Sequence, residues 1–570
     1  MTTLVHVTHE AVQQAGGIGT VLRGLITADS YRDYCQRTIL LGPLTDPGAE
    51  QPLGPEGEVL YDADRQIRTG EVADVLRRVE FEFGVRLIYG RRLLSEGGRQ
   101  ARPEVLLVDV RHPPHGLNDF KHALFQHFGL DSQRYEHHWE YEQYLRLAEP
   151  GFAAVQALVG AEPFMLLAHE FMGLGTAFKA QLSGSPACKT LFYAHEVATV
   201  RPLVEEGPGR DIAFYNTLRR ARAEGLYIDE VLGPQDAYFK HALVREAWRL
   251  DAVLAVGDWV VEELRFLGPE FAARAIDLVY NGVPAVDLPF ADREEARLKL
   301  QASGAQLLGW TPDRVFTHVT RLVKSKGLWR DLLVLDHLDR ELHKRGEQAL
   351  FIVLATETGR RSADEVRRMG AYGWPSVHRE GGADLSGGEL EFDLQVRAFN
   401  GRSRAIKTLF VNQFGWDRQS CGEFLAPDAE FTDLRRGSDV EFGQSIYEPF
   451  GIAQIEPMSF GTISVVSDIC GCVGFVDRVR DRQVLGGFVE GAYTRLDPLM
   501  ADSGSIGAAE GVRAEAMQSK VVAAELAQKL PANKNERRKL LEEGFAVARE
   551  MSWERVVEDM LLPVLRRLEK

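Results

Sequence analysis

Cysteine is scarce: the 570 residues hold five, at positions 35, 188, 421, 470 and 472. So few and so scattered, they give neither a disulfide framework nor a CxxC zinc site. Only Cys470 and Cys472 lie close together, and metal or redox chemistry is not expected of them. Long apolar runs are missing too. No stretch approaches the roughly 18 apolar residues of a membrane span, and the opening MTTLVHVTHEAVQQA has neither the basic start nor the apolar run of a signal peptide. A cytoplasmic location and no membrane partner are expected. Positive charge is in deficit, with 67 Lys and Arg against 83 Asp and Glu and a net charge of −16. This argues against nucleic acid, which needs basic surface to displace counterions. It leaves open a small anionic ligand, which senses a few local cations. Short repeats and low-complexity tracts are absent, and no pattern marks an oligomeric interface.

The composition that remains is that of a globular chain, 45% hydrophobic and 26% charged. Single hydrophobic cores stop growing at about 250 to 300 residues, so two or three domains are expected. Leu4 to Thr8 reads as a buried strand and feeds a glycine turn, Gly16, Gly17 and Gly19, then the apolar helix pattern from Val21 to Leu25. Strand-like runs recur at Thr38 to Leu41, Val105 to Val110, Phe164 to Ala168, Thr190 to Tyr193 and Ala252 to Val256. Helical periodicity separates them, at Glu140 to Leu147, Ala153 to Val159 and Phe239 to Arg249. This alternation predicts a mainly parallel sheet covered on both faces.

The second half repeats the plan, with strands at Arg314 to Thr320, Ala349 to Leu354, Ile406 to Asn412 and Thr462 to Ser467, and a long helix at Leu328 to Lys344. The Gly- and Pro-bearing stretch Tyr280 to Phe290 is the linker candidate. The predicted division is 1–285 and 286–550, with an insertion at about 357–405 that holds one helix at Glu389 to Ala398. A loop-like block follows at Arg478 to Gly507, and a final amphipathic helix, 551–570, is expected to return toward the first domain. Two Rossmann-like doubly wound domains of this kind would face each other across a cleft lined by the carboxyl ends of their strands.

Three segments carry residues suited to an anionic, hydroxyl-rich ligand. In Gly16, Gly17, Ile18, Gly19 and Thr20 a strand feeds a helix start, whose N–H groups favour an anion, although the spacing is not GxGxxG. A tight turn with no ligand is the alternative. THVTRLVKSKG ends a strand and offers Arg321 and Lys326, a guanidinium fork and a point charge for phosphate oxygens, unless both are solvated loop cations. SIYEPFGIAQIEPMSFG sets Glu448 ahead of a helix expected to begin near Phe450, with the N–H groups of Gly451 and Ile452 at its start and Glu456 about two turns on. Carboxylates on both sides of an anion site suit a nucleotide sugar, whose sugar and ribose hydroxyls both seek acceptors.

These segments resemble the retaining GT-B glycosyltransferases, and among them the glycogen and starch synthases. The pair Glu448 and Glu456 resembles their E-x7-E signature, TRLVKSKG their Arg and Lys loop, and QAGGIGTVL their K-x-GG motif, with Gln14 and Ala15 where the family usually has its lysine. AHEFMG, at Ala168 to Gly173, is similar to their HEW segment with Phe171 for Trp, and AFYN at Ala213 to Asn216 also echoes them. The resemblance implies that Arg321 and Lys326 hold the donor diphosphate, Glu448 the donor sugar and Glu456 the ribose. It implies that His169 faces the sugar, with His195 as a second cleft histidine, and that Asn281 and Gly282 form the turn at the domain junction. The implied reaction is metal-independent transfer of a glucosyl unit from UDP- or ADP-glucose to an α-glucan, with retention of configuration. A transferase that makes a small sugar of the sucrose or trehalose type is the alternative, and an inactive sugar-nucleotide-binding regulator is another.

Overall fold

The computed structural model describes residues 2–13, 16–379, 384–496 and 506–570. The chain divides into two compact units. The first comprises Met1–Val200, Arg220–Gly282 and Trp553–Lys570, and the second Arg201–Arg219 and Val283–Ser552.

The first unit is built on a ten-stranded sheet. From one edge, Asp277–Leu278, Ala252–Ala255, Cys188–Ala194, Phe164–His169, Thr2–Val7, Cys35–Pro43 and Glu104–Val108 run parallel. Their apolar runs are covered by helices, as buried parallel strands require. The sheet then continues antiparallel through Leu87–Arg91, Glu58–Asp62 and Ile67–Arg68. This extension has no counterpart in the sequence reading, because its short strands carry no sustained apolar run. Two helical stretches read as separate are one helix, Trp139–Val159, which continues through Pro150. The C-terminal residues pack on the first helix, Ile18–Thr27. A Cβ on Gly24 would lie 2.1 Å from the Trp553 ring, and Glu554 accepts the N–H groups of Asp29 and Ser30 at 2.9 and 2.7 Å.

In the second unit the strand order is Ile406–Val411, Ala349–Thr356, Arg314–Arg321, Val440–Gly443, Ile463–Ser467 and Phe488–Gly491, all parallel. Numbered along the unit this is 3-2-1-4-5-6, the doubly wound order in which the winding reverses between the first and fourth strands. The stretch 357–405 is therefore more than an insertion. It is the crossover between the second and third strands, with its covering helix at Gly387–Arg402 and a further helix at Ala363–Gly370. The block after Arg478 likewise holds the sixth strand, Phe488–Gly491, whose four residues are too few to stand out in the sequence.

Residues Arg201–Arg219 belong to the second unit, although a division at 285 places them in the first. The cause is a buried ion-pair cluster. The Arg330 guanidinium forks onto both carboxylate oxygens of Asp211 at 2.7 and 2.9 Å and onto Glu515 at 2.9 Å, over the face of Tyr493. Farther along the segment, Asn216 and Arg219 donate to the Thr494 carbonyl at 3.0 and 2.9 Å. Burial pushes the Asp211 carboxyl up to about 6 against the pull of Arg330. Removing Asp211 leaves a wholly buried guanidinium short of charge, so Asp211→Ala should cost about 3 kcal/mol in a urea unfolding titration. A loss below about 1 kcal/mol would show that Glu515 alone satisfies Arg330.

The middle of the first sheet is not wholly apolar, since His6 and His169 are fully buried in it. Desolvation holds both imidazoles neutral, bringing His6 down to about 3 and His169 well below its ordinary value. Unfolded, each ring titrates near 6.5, so the stability of this unit is complete above that pH and lost below it, at about 2 kcal/mol per ring by about pH 5. Urea midpoints at about pH 7 and about pH 5 should differ accordingly. Equal midpoints would mean that the rings take up protons without unfolding.

Candidate functional site

In the second unit the first and fourth strands pair only at Phe316 with Val440 and Thr317 with Glu441, and then diverge. The divergence leaves the Val319 N–H without a ladder partner, and the Glu441 carboxylate takes it at 3.0 Å while also meeting Thr317 and Arg435. Two loops leave this fork, Leu322–Gly327 after the first strand and Gln444–Gly451 after the fourth. They are fastened to each other. The Ile446 N–H donates to the Ser325 carbonyl at 2.7 Å, and Gly327, at φ 63°, lies so close to Gln444 that a Cβ would sit 2.3 Å from its carbonyl oxygen. Only glycine serves at Gly327, for its backbone conformation and for this contact.

The fastening brings Lys326 onto Glu448, whose carboxylate pairs with the ammonium and accepts the Gln454 amide at 2.6 Å and the Ser445 hydroxyl at 3.3 Å. Burial pushes the Glu448 carboxyl up, but Lys326 and Arg201 outweigh it and hold the group below the usual carboxylate range. Arg201 reaches the Ser325 hydroxyl at 3.4 Å and lies over the Tyr447 ring at 5.0 Å. Arg321 ends its strand exposed, and its side chain has no partner among the described residues. The predicted pair of cations is thus a set of three, and no sequence signal marks Arg201, which is far from this loop along the chain.

The helix expected from Phe450 is shorter than predicted. Gly451, at φ 91°, caps a single turn, Ile452–Ile455, and Glu456 opens a 3-10 turn, Glu456–Phe460, because Pro457 has no N–H to extend the α-helix. The N–H groups of Gly451 and Ile452 have no acceptor among the described residues, nor has the half-buried Glu456 carboxylate any partner. Phe450 differs from expectation: its ring is buried against Phe475, and its part in the loop is a backbone carbonyl that accepts the Cys472 N–H at 2.8 Å. The Cys470 and Cys472 thiols are buried, with burial pushing Cys470 up to about 12. They back this loop as packing.

In the first unit the glycine turn is partly committed to its own chain. Gly19 donates to the Glu10 carboxylate at 2.8 Å, a Cβ on Gly16 would lie 2.8 Å from the same group, and the Ile18 side chain is in the core. An internal carboxylate takes the Gly19 N–H that the sequence reading offered to an external anion. Around Gly17 there is open space, and Thr20 is half-buried. Gln14 and Ala15 lie outside the described residues.

The histidines also differ from expectation. His169 is fully buried, and both its ring nitrogens are engaged, Nε2 by His6 and Nδ1 by His195, each at 2.8 Å. It has no free polar atom for a sugar. His195, at the carboxyl end of the next strand, is only partly buried. Glu170 turns back toward it from a left-handed conformation at φ 58° and accepts the N–H groups of His195 and Glu196. The motif pair His169 and Glu170 therefore converges on His195. Asn281 is buried, and Gly282 packs against Trp553.

No protein-family model matches the sequence, and no curated protein does. Solved structures do match over the whole chain. The catalytic domain of starch synthase IV from Arabidopsis thaliana, bound to ADP and acarbose, is 13% identical, with 100% of this chain and 99% of that one covered and a TM-score of 0.54. A UDP-forming α,α-trehalose-phosphate synthase from Burkholderia xenovorans, in complex with glucose-6-phosphate, is 13% identical over 100% of both chains, with a TM-score of 0.51. A trehalose-6-phosphate protein from E. coli bound with UDP-2-fluoro glucose is 12% identical over 100% of this chain and 99% of that one, with a TM-score of 0.50. At such identities the likeness is one of architecture, and the chain has the GT-B fold, with two Rossmann-like domains.

Proposed function

We propose that this protein is a retaining glycosyltransferase that moves a glucosyl unit from a nucleoside diphosphate sugar to an α-glucan. The observation that carries the proposal is the loop pair at the winding reversal of the second unit, where ligands of doubly wound sheets bind. There Lys326, Arg201 and Arg321 supply positive charge, Glu448 is an acceptor held below the usual carboxylate range, and Glu456 and the N–H groups of Gly451 and Ile452 have no partner among the described residues. A diphosphate fits the cations, and hydroxyls fit the carboxylates.

In the reaction the bond from the anomeric carbon to the diphosphate breaks, and the acceptor hydroxyl attacks from the face that the diphosphate leaves. Its proton passes to the departing phosphate oxygen, so no protein nucleophile is needed. Lys326 and Arg321 meet the charge that grows on the leaving group, and fixed cations act most strongly where charge develops. With that charge met by side chains, the reading needs no metal. Glu448 accepts donor sugar hydroxyls and Glu456 the ribose. Within the first unit, His195 has a ring nitrogen left for a ligand, whereas both ring nitrogens of His169 are engaged.

A small-sugar product is the second reading, favoured by the trehalose-phosphate synthases among the matching structures. Incubation with UDP-glucose and ADP-glucose separates the readings. Chain extension of added glycogen supports glucan synthesis, a soluble product with glucose 6-phosphate supports the second reading, and binding without turnover identifies a regulator. Lys326→Ala should lower kcat about 100- to 1000-fold, the cost of losing one preorganised charge donor. Glu448→Gln should lower kcat/KM about 10- to 100-fold, the worth of a charged hydrogen bond. Wild-type rates in either variant, with the fold intact by circular dichroism, would remove the site from this loop pair.

A further inference from the structure

Behind His195 the first unit holds an unbroken line of polar contacts. The Thr38 hydroxyl lies 3.2 Å from the Tyr31 hydroxyl, which lies 2.8 Å from His6 Nε2. His6 Nδ1 is 2.8 Å from His169 Nε2, and His169 Nδ1 is 2.8 Å from His195 Nε2. The line runs across four adjacent strands, from Cys35–Pro43 through Thr2–Val7 and Phe164–His169 to the end of Cys188–Ala194, with Tyr31 entering from a helix. It ends at His195 Nδ1, which has no protein partner among the described residues and is not enclosed.

A neutral imidazole carries one N–H, and each nitrogen-to-nitrogen contact needs one proton. Two protons face to face, or two lone pairs, would forfeit a buried hydrogen bond. His169 touches a ring at both nitrogens, so its one proton settles both contacts, and the three rings must point the same way. Two arrangements remain. In one, Tyr31 donates to His6, every ring carries its proton on Nδ1, and His195 shows an N–H outward. In the other every proton sits on Nε2, Tyr31 donates to Thr38 or to the Cys35 thiol, and His195 shows a lone pair. Chemistry favours the first, since a phenolic hydroxyl is a better donor to an imidazole lone pair than an acceptor from an imidazole N–H. Burial keeps the rings neutral and the phenol protonated.

We infer that His6 and His169 are positioning residues that fix the tautomer of His195 through this line, with the Tyr31 hydroxyl setting its direction, so that His195 offers Nδ1–H to an oxygen of the ligand. That this oxygen belongs to a donor sugar rests on the glycosyl-transfer reading, whereas the tautomer does not.

The test is long-range proton–nitrogen correlation on full-length protein with 15N-labelled histidine, His195 being assigned by its loss in His195→Gln. Wild type should show His195, His169 and His6 protonated at Nδ1 alone. Tyr31→Phe removes the donor and should populate the Nε2–H form of His195. A wild-type His195 protonated at Nε2, or a Tyr31→Phe spectrum that keeps Nδ1–H alone, overturns the inference. The wild-type spectrum tests the direction even if Tyr31→Phe does not fold. UDP-glucose should shift the His195 Nδ1–H resonance. Measured transfer without that shift would remove the ligand contact, and a wild-type Nδ1–H without any transfer would remove the glycosyl-transfer reading while the line stands.

Discussion

The site in the second unit depends on one constraint, the divergence of two neighbouring strands. Where the winding reverses, the first and fourth strands stop pairing after Thr317 and Glu441, so the ladder no longer joins the loops at their carboxyl ends. The polypeptide must close the base of that opening without filling it. Glu441 does so by taking the Val319 N–H that the ladder abandons. The Ser325 and Ile446 backbones do so one layer higher, with Gly327 pressed against Gln444. Each of these contacts is short and buried, so Lys326 and Glu448 have little freedom in where they stand. Preorganisation of this kind is what a charge-stabilising site requires, since side chains that must first find their positions lose part of their effect to reorganisation.

Electrostatics in this loop pair run against the average of the chain. The protein as a whole carries −16, yet two cations, Lys326 and Arg201, gather near one half-buried carboxylate, and Arg321 ends the strand before the Lys326 loop. One of them, Arg201, is present because its segment is held in the second unit by the Arg330 cluster on Asp211. A wholly buried guanidinium is an expensive anchor, weak as a source of net stability, but it is selective. An unpaired Arg330 costs so much that the segment carrying Asp211 has one acceptable place. The cluster thus acts on the site by fixing an element of distant sequence, and the stability of that element and the local charge are coupled.

The legible part of this protein was whatever one stretch of sequence determines alone. Strands such as Phe164–His169 and Arg314–Arg321 announce themselves as apolar runs, and the loops after them follow. The antiparallel extension from Glu58 to Arg91 was hidden because its strands are short, two to five residues, and only residues 87–90 are buried throughout. Phe488–Gly491 was hidden by its length. The spacing of Glu448 and Glu456 suggests one continuous helix, which the missing N–H of Pro457 cuts short at Ile455. Arg201, Gln454 and Glu10 were beyond reach, since each acts on a residue whose proximity only the fold creates. The helix within 357–405 is legible in the sequence, but that it is a crossover covering the sheet follows only from the strand order.

His169 and His195 show how a correct motif can yield the wrong atom. The pair His169 and Glu170 stands at the carboxyl end of its strand, where a ligand-facing residue belongs, yet both side chains turn toward the next strand. The imidazole meets the ring of His195, and the carboxylate meets its backbone. Glu170 accepts a left-handed conformation to do this, at a strain of order 1 to 3 kcal/mol for a residue other than glycine. Nothing in the local packing asks for that strain, because a glycine or asparagine would hold the turn more cheaply. It is explained if the carboxylate is needed at the His195 N–H. A motif then marks the support of a functional group as readily as the group itself, and exposure tells them apart: His169 has no surface left, and His195 does.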